Sequence, residues 1–390
     1  MTDIRSGVES IFSYIARTAE MVDGGYRWRT LNYADQPQYH FCIFNGVAGI
    51  ALFLRDYYLF TEDYRALDLA RGALRWCECS HPVEGDFQRG VYLGRTGVAY
   101  AQLYLAEFNP DESVPEFCQS NASRLLDEPP GPVIDFLGGE ASNGWYLLKL
   151  WEKTGDDRHL QGAVRCGSWI SEHLTRNELG THCLIRPDGG MGTTAYLGLS
   201  HGIAGVAYFY SLLHRATRDE QWLSIARELL NTLIQHATPA KGGLNWAPTI
   251  GGSELSRCQY SHGASGIGLV FCLLASVLED TKLLAVAERA GEAAYRYGDF
   301  RSNPTLCTGV AGSGQLFVEL FRATGDSKWR DRAREFARMA IAYKSAGDGG
   351  DEWPTDTAGL SSPDYTYGAA GTGHFLLRAL HPHKFSLPLF

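Results

Sequence analysis

The sequence predicts an all-α protein, an α/α toroid in which seven inner and seven outer helices alternate. Three observations predict it. A Gly-x-x-Gly pair recurs along the 390 residues. An aspartate follows the first glycine at one constant offset. Segments that are apolar all round alternate with segments that are apolar on one stripe.

The glycine copies are Gly46-Val-Ala-Gly49, Gly94-Arg-Thr-Gly97, Gly202-Ile-Ala-Gly205, Gly263-Ala-Ser-Gly266, Gly309-Val-Ala-Gly312 and Gly368-Ala-Ala-Gly371. A degenerate copy, Gly139-Glu-Ala-Ser142, carries serine at the second place. Asp63, Asp111, Asp156, Asp219, Asp280 and Asp326 stand at the same distance from the first glycine of the first six copies. Four of them close a Thr-x-Asp turn that begins at Thr61, Thr154, Thr217 or Thr324. Ala70, Ala163, Ala226, Ala287 and Ala333 share one later register position.

Each copy reads as helix, turn, helix. The stretch after the glycines, such as Ile50-Ala-Leu-Phe-Leu54, is apolar nearly all round and predicts a helix buried on every side. The stretch after Thr-x-Asp, such as Trp222 to His236, carries charge on one stripe and predicts an amphipathic outer helix. The Thr or Asp before it is a natural N-cap. The last copy has only its inner helix. The N-terminal segment, with Ser6 and Glu9 read as a capping box, is the expected outer partner. Neither end resembles a polar capping repeat, so a closed ring fits better than an open solenoid. No linker divides the chain, and one domain over residues 1–390 is expected.

Composition narrows the function. A net charge of −9 argues against nucleic acid, which needs a basic face. No apolar run is long enough to span a membrane. The start, MTDIRSGVES, lacks a signal-peptide pattern, and nine scattered cysteines suit reduced thiols in the cytoplasm.

Inner-helix N-termini gathered at one mouth would offer free N–H groups and partial positive charge, which favour a thiolate or an enolate. The residue before each glycine pair would then face the pocket: Asn45, Leu93, Gly138, His201, His262, Thr308 and Tyr367. Asp135, Tyr260, Ser261 and Cys307 lie close by in sequence. Histidines and a cysteine at repeat-equivalent places point to a site, although a single histidine beside a turn is more often structural. Cys77-Glu-Cys-Ser-His81 has metal-like composition without a second ligand pair and reads as a surface loop. The Gly-Gly pairs at 189, 242 and 349 read as loops, and Asp348 to Glu352 as a solvated loop or a contact for a basic peptide segment. Paired carboxylates for glycoside hydrolysis and an Asp-rich diphosphate motif are missing from the pocket positions.

Leu197-Gly-Leu-Ser-His-Gly-Ile-Ala-Gly205, Cys307-Thr-Gly309 and Pro363-Asp-Tyr-Thr-Tyr-Gly-Ala-Ala-Gly-Thr-Gly373 resemble the lanthionine synthetase C-like family. The resemblance implies a toroid that adds a peptide cysteine thiol to dehydroalanine or dehydrobutyrine, closing a thioether ring. The best-known members hold zinc with cysteine and histidine. Here the matching positions are Ser261, Cys307 and Thr308, so two ligands are replaced and zinc is not expected. Asp135 and His201 match acid–base positions. The resemblance therefore implies a metal-independent cyclase. His201 or His262 would be the base, the other histidine or Tyr260 the acid, and Asp135 the group orienting His201. Cys307, Asn45, Thr308 and Tyr367 would line the substrate pocket. Expected partners are a dehydrated precursor peptide and kinase-like, lyase or decarboxylase proteins. The alternative is a non-catalytic scaffold that holds the peptide for such a partner.

Overall fold

The computed structural model describes residues 2–80, 85–106, 113–297 and 302–390. The chain forms two compact units, one from Met1–Pro82 with Tyr297–Phe390 and the other from Val83–Arg296. The first unit holds α1 (Thr2–Arg17), α2 (Val47–Thr61), α3 (Tyr64–Cys79), α12 (Val310–Thr324), α13 (Ser327–Ala342) and α14 (Ala369–Leu380). The second holds α4 (Arg95–Ala106), α5 (Glu116–Asp127), α6 (Glu140–Thr154), α7 (Asp157–Glu172), α8 (Ile203–Thr217), α9 (Glu220–Gln235), α10 (Ala264–Val277) and α11 (Thr281–Arg296).

Helices that follow a glycine pair are buried on all sides for most of their length, as in α8 from Ile203 to Leu213. Helices that follow the aspartate bury one stripe. In α9 that stripe includes Trp222, Leu223, Ala226, Leu229, Leu230 and Leu233. The register alanines Ala70, Ala163, Ala226, Ala287 and Ala333 are at most 2% exposed. Their small side chains let each outer helix lie close on its inner neighbour.

The Thr-x-Asp turn has a definite hydrogen-bond logic. Thr61 Oγ1 donates to the Tyr57 carbonyl at 2.8 Å and accepts from Asp63 N at 3.2 Å. The Asp63 carboxylate then accepts from Arg65 N at 3.0 Å and caps α3. Thr154, Thr217 and Thr324 repeat this with Asp156, Asp219 and Asp326. Asp280 caps α11 through Lys282 N at 2.9 Å. Asp111 lies outside the described residues. The middle residue of the turn is left-handed: φ is 59° at Glu62, 67° at Gly155, 60° at Arg218 and 69° at Gly325. Two copies use glycine there and two carry a side chain in a region that L-residues enter at a cost.

The α1 helix does pack on α14 and so partners the last inner helix. Its capping box is a correction. The helix already begins at Thr2, so Ser6 and Glu9 lie inside it, and Glu9 pairs with Arg5 at 2.9 Å. Asp3, whose carboxylate accepts from Ile4 N at 2.9 Å, holds the first turn instead.

Five short antiparallel ribbons, which the sequence signals only sparsely, connect outer helices to the next glycine loop. They are β1 (Glu20–Val22) with β2 (Gly25–Arg27), β3 (Thr30–Leu31) with β4 (Pro37–Gln38), β5 (Thr175–Asn177) with β6 (Gly180–His182), β7 (Thr238–Ala240) with β8 (Gly243–Asn245), and β9 (Ser345–Gly347) with β10 (Gly350–Glu352). The glycine pairs at 242 and 349 sit at two of these hairpin turns. A buried tryptophan follows three of the ribbons and ties it to an outer helix. Trp28 Nε1 donates to the Ile15 carbonyl at 2.8 Å, Trp246 Nε1 to that of Leu233 at 2.6 Å, and Trp353 Nε1 to Ser10 Oγ at 3.3 Å. The acidic run is likewise engaged. Asp351 Oδ2 accepts from Lys344 at 2.6 Å and from Ser10 at 2.7 Å.

Candidate functional site

The second glycine of the motif admits a neighbouring loop. A Cβ on Gly205 would stand 2.6 Å from Phe136 Cβ and 2.4 Å from the Leu199 carbonyl oxygen. Without it the Phe136 loop lies directly on the start of α8. Gly266 does the same for Leu199, Gly371 for Leu306, and Gly49 for Tyr365. In each case the residue three before one glycine pair rests on the second glycine of a neighbouring copy. The contact of Tyr365 with Gly49 makes the last and first copies neighbours, and α14 packs on α2.

Within Val83–Arg296 this packing brings two loops together. Leu137 N donates to the Ser200 carbonyl at 3.1 Å. Beside that bond His201 Nδ1 and Asp135 Oδ2 are 2.7 Å apart. Asp135 is 1% exposed, and its Oδ1 accepts from Gly138 N at 2.8 Å. A buried carboxylate held this way keeps the proton on Nδ1 and leaves Nε2 of the part-exposed imidazole as the acceptor.

His262 lies in the next loop with Nδ1 buried and without a hydrogen-bond partner among the described residues. Burial first, then the nearby Arg257 and His201, push its pKa down to about 4. It is therefore a neutral imidazole near neutral pH. Tyr196 stands beside both histidines, its ring centroid 6.4 Å from His201 and 5.9 Å from His262. Tyr260 is buried and faces Tyr92, hydroxyl to hydroxyl, at 3.4 Å.

The remaining candidates lie in the other unit. Asn45 is buried and built into its loop. It accepts from the Cys42 thiol at 3.3 Å and donates to the Leu31 carbonyl at 3.0 Å. Cys307 is buried, and its backbone N donates to the Thr366 carbonyl at 3.0 Å. Tyr367 is pushed well above the ordinary phenol range by burial and by the Cys307 thiol bonded to it. Thr308 Oγ1 bonds Asn303 Nδ2 at 3.3 Å, Thr305 Oγ1 at 3.3 Å and Asp356 Oδ2 at 3.2 Å.

Tyr196 and Asp364 were not singled out in the sequence. Tyr196 lies six residues before its glycine and carries no periodic signal. Asp364 does carry one, since it stands four residues before Gly368 as Asp135 stands four before Gly139. The Cys77 motif forms no site among the described residues. Cys77 is buried with its thiol on the Phe41 carbonyl at 3.4 Å, and His81 lies outside them.

Residues 38–390 match the model of the lanthionine synthetase C-like protein family. The chain belongs to the lanthionine synthetase C-like family. A relative named Glutathione S-transferase LANCL1, from Danio rerio, is 27% identical over 50% of this chain and 45% of its own length. LanC-like protein GCL1 of Arabidopsis thaliana is 25% identical over 76% of this chain and 69% of its own. The chain thus spans less than half the length of the first of these relatives. Nisin cyclase superposes with a TM-score of 0.71 at 17% identity, over 100% of this chain and 96% of that one. The likeness shows the fold, an all-α α/α toroid.

The zinc ligands of the best-known family members match three positions of this chain. Of these only Cys307 has zinc-binding chemistry. Thr308 offers a neutral hydroxyl already shared among three partners, and Ser261 another hydroxyl. Among the described residues no group of three His, Cys, Asp or Glu is placed to hold a metal ion. No helix among them is long and apolar enough to cross a membrane.

Proposed function

We propose that this protein is a cyclase of ribosomal peptide modification. It adds a cysteine thiol of a dehydrated precursor peptide to dehydroalanine or dehydrobutyrine, without zinc. The observation that carries the reading is the 2.7 Å contact between His201 Nδ1 and Asp135 Oδ2 in a member of this family. His201 Nε2 takes the thiol proton, and Asp135 orients the ring and stabilises the imidazolium that forms. The sulfur attacks Cβ, and the π electrons move onto the carbonyl as an enolate. His201 then returns the proton to Cα, so the net change is addition of S–H across the double bond. The sequence leaves open which histidine is the base. The neutral, buried His262 suits a pocket wall better than a proton donor. Asn45, Cys307, Thr308 and Tyr367 are the proposed substrate-binding residues, with Tyr260 a further acid candidate. The reading takes residues 1–390 as one cytoplasmic domain. Kinase-like, lyase or decarboxylase proteins would handle the other steps on the peptide.

Two similar proteins support thiol chemistry: a nisin cyclase shares the fold, and a protein named glutathione S-transferase is a sequence relative. The scaffold alternative draws support from one observation, the Thr308 hydroxyl standing where the family's metal ligand is expected. Incubating the protein with a synthetic peptide that carries one cysteine and one dehydrobutyrine, then counting free thiols by alkylation, separates the two. Thiol loss with wild type, unaffected by a zinc chelator and lost in His201→Asn, is expected. No thiol loss with wild type would leave the scaffold reading standing.

A further inference from the structure

The reaction creates an enolate oxygen, and the His201–Asp135 pair has no spare donor for it. His201 carries its one mobile proton toward Cα. The Nδ1 proton of His201 is committed to Asp135 at 2.7 Å. His262 has a buried Nδ1 with no hydrogen-bond partner among the described residues.

Tyr196 fills that gap. Its ring lies close to both imidazoles, at 6.4 Å from His201 and 5.9 Å from His262, tilted at 51° and 42°. Its backbone is pinned on both sides of the chain. The Tyr196 carbonyl accepts from Ile203 N at 3.1 Å at the start of α8, and Tyr196 bridges to Thr249. The next residue, Leu197, donates its N–H to the Pro248 carbonyl at 2.9 Å. The side chain is part-exposed, and its hydroxyl makes no hydrogen bond among the described residues. A phenol held on a rigid backbone beside the base, with its O–H uncommitted, is prepared to donate to charge that develops only during reaction.

We infer that Tyr196 is a catalytic residue that donates its hydroxyl hydrogen bond to the enolate oxygen formed when sulfur adds to the dehydroamino acid. The inference rests on the cyclase reading. Bond making balances without any further reactant. The thiol proton goes to His201 Nε2 as the C–S bond forms. The Cα=Cβ electron pair shifts to oxygen under the Tyr196 hydroxyl. The pair returns as His201 protonates Cα. Tyr196 keeps its own proton throughout.

Tyr196→Phe tests this, because it keeps the ring beside the two imidazoles and removes only the donor. On the dehydrated peptide, kcat should fall about 10²-fold, the usual cost of one oxyanion donor, while KM stays within twofold. The melting temperature should stay within the scatter of wild type. Tyr196→Leu serves as the contrast and should additionally raise KM, since the wall itself is lost. A Tyr196→Phe enzyme with wild-type kcat overturns the inference and leaves the cyclase reading intact. A raised KM with unchanged kcat in Tyr196→Phe overturns it as well, by making the residue a binding wall only. Failure of wild type to consume thiols, with retained binding of the fluorescently labelled peptide, overturns both readings together.

Discussion

Asp135 and Asp364 occupy one place in the repeat, four residues before the first glycine, and each accepts the backbone N–H three residues on at 2.8 Å, from Gly138 and Tyr367. Their fates differ through one neighbour. Asp135 meets His201, whereas Asp364 meets the Ser362 hydroxyl and the N–H of Thr366. Burial pushes the Asp364 carboxyl up to about 6.

The raised Asp364 sets a stability term with a definite sign. Its folded pKa lies above the unfolded value near 4, so the term is fully present below pH 4 and is lost as pH rises through about 6. The loss is about 3 kcal/mol from the two-unit shift. Asp364→Asn keeps the backbone acceptor and removes the ionisation. Its stability relative to wild type should rise between pH 4 and pH 7.5, as measured by urea unfolding at both values. Equal differences at the two pH values would refute this.

His262 carries the opposite sign. Its folded pKa is depressed to about 4, so its contribution is present above pH 6.5 and is lost as pH falls toward 4. The term amounts to about 3 kcal/mol. His262→Gln should flatten the acid limb of the wild-type stability curve over pH 6.5–4. Thermal melts across that range read the slope directly, and a variant curve parallel to wild type would contradict the assignment.

Asp135→Asn leaves the shape of the site while replacing the carboxylate that holds His201. The imidazole then loses its fixed tautomer, and kcat for thiol addition should fall by about 10²-fold or more. Peptide binding, followed by fluorescence anisotropy, should change less than threefold. A variant that cyclises at the wild-type rate would remove Asp135 from the proposed mechanism.

Gly205→Ala addresses the scaffold beneath that pair. The new methyl would overlap Phe136 Cβ and the Leu199 carbonyl, both backbone-proximal atoms that cannot swing away. Overpacking of this kind costs about 1–3 kcal/mol. Because the Phe136 loop also carries Asp135, activity should fall further than stability alone explains. Urea midpoints and turnover of the same preparation give both quantities.

Much of the helical frame was legible because each unit repeats its local chemistry. The Thr-x-Asp turn works through bonds within six residues, so Thr217 and Asp219 announce the end of α8 and the start of α9 unaided. The start of α1 was misread, since Ser6 and Glu9 fit a capping pattern that the helix overran to Thr2. The ribbon tryptophans escaped notice because their partners, Ile15, Leu233 and Ser10, lie on helices many residues earlier in the chain.

By itself the sequence determined the register of the repeat, the split into buried and amphipathic helices, and the candidates His201, His262 and Asp135. These follow from periodicity and from local capping, which are short-range. Only the tertiary structure decided that Asp135 meets His201 while Asp364 meets Ser362, that His262 is held neutral, and that Tyr196 stands beside both histidines. Those facts depend on how closely two loops approach across a glycine and on how much water is excluded there, and both are set by packing between segments distant in sequence.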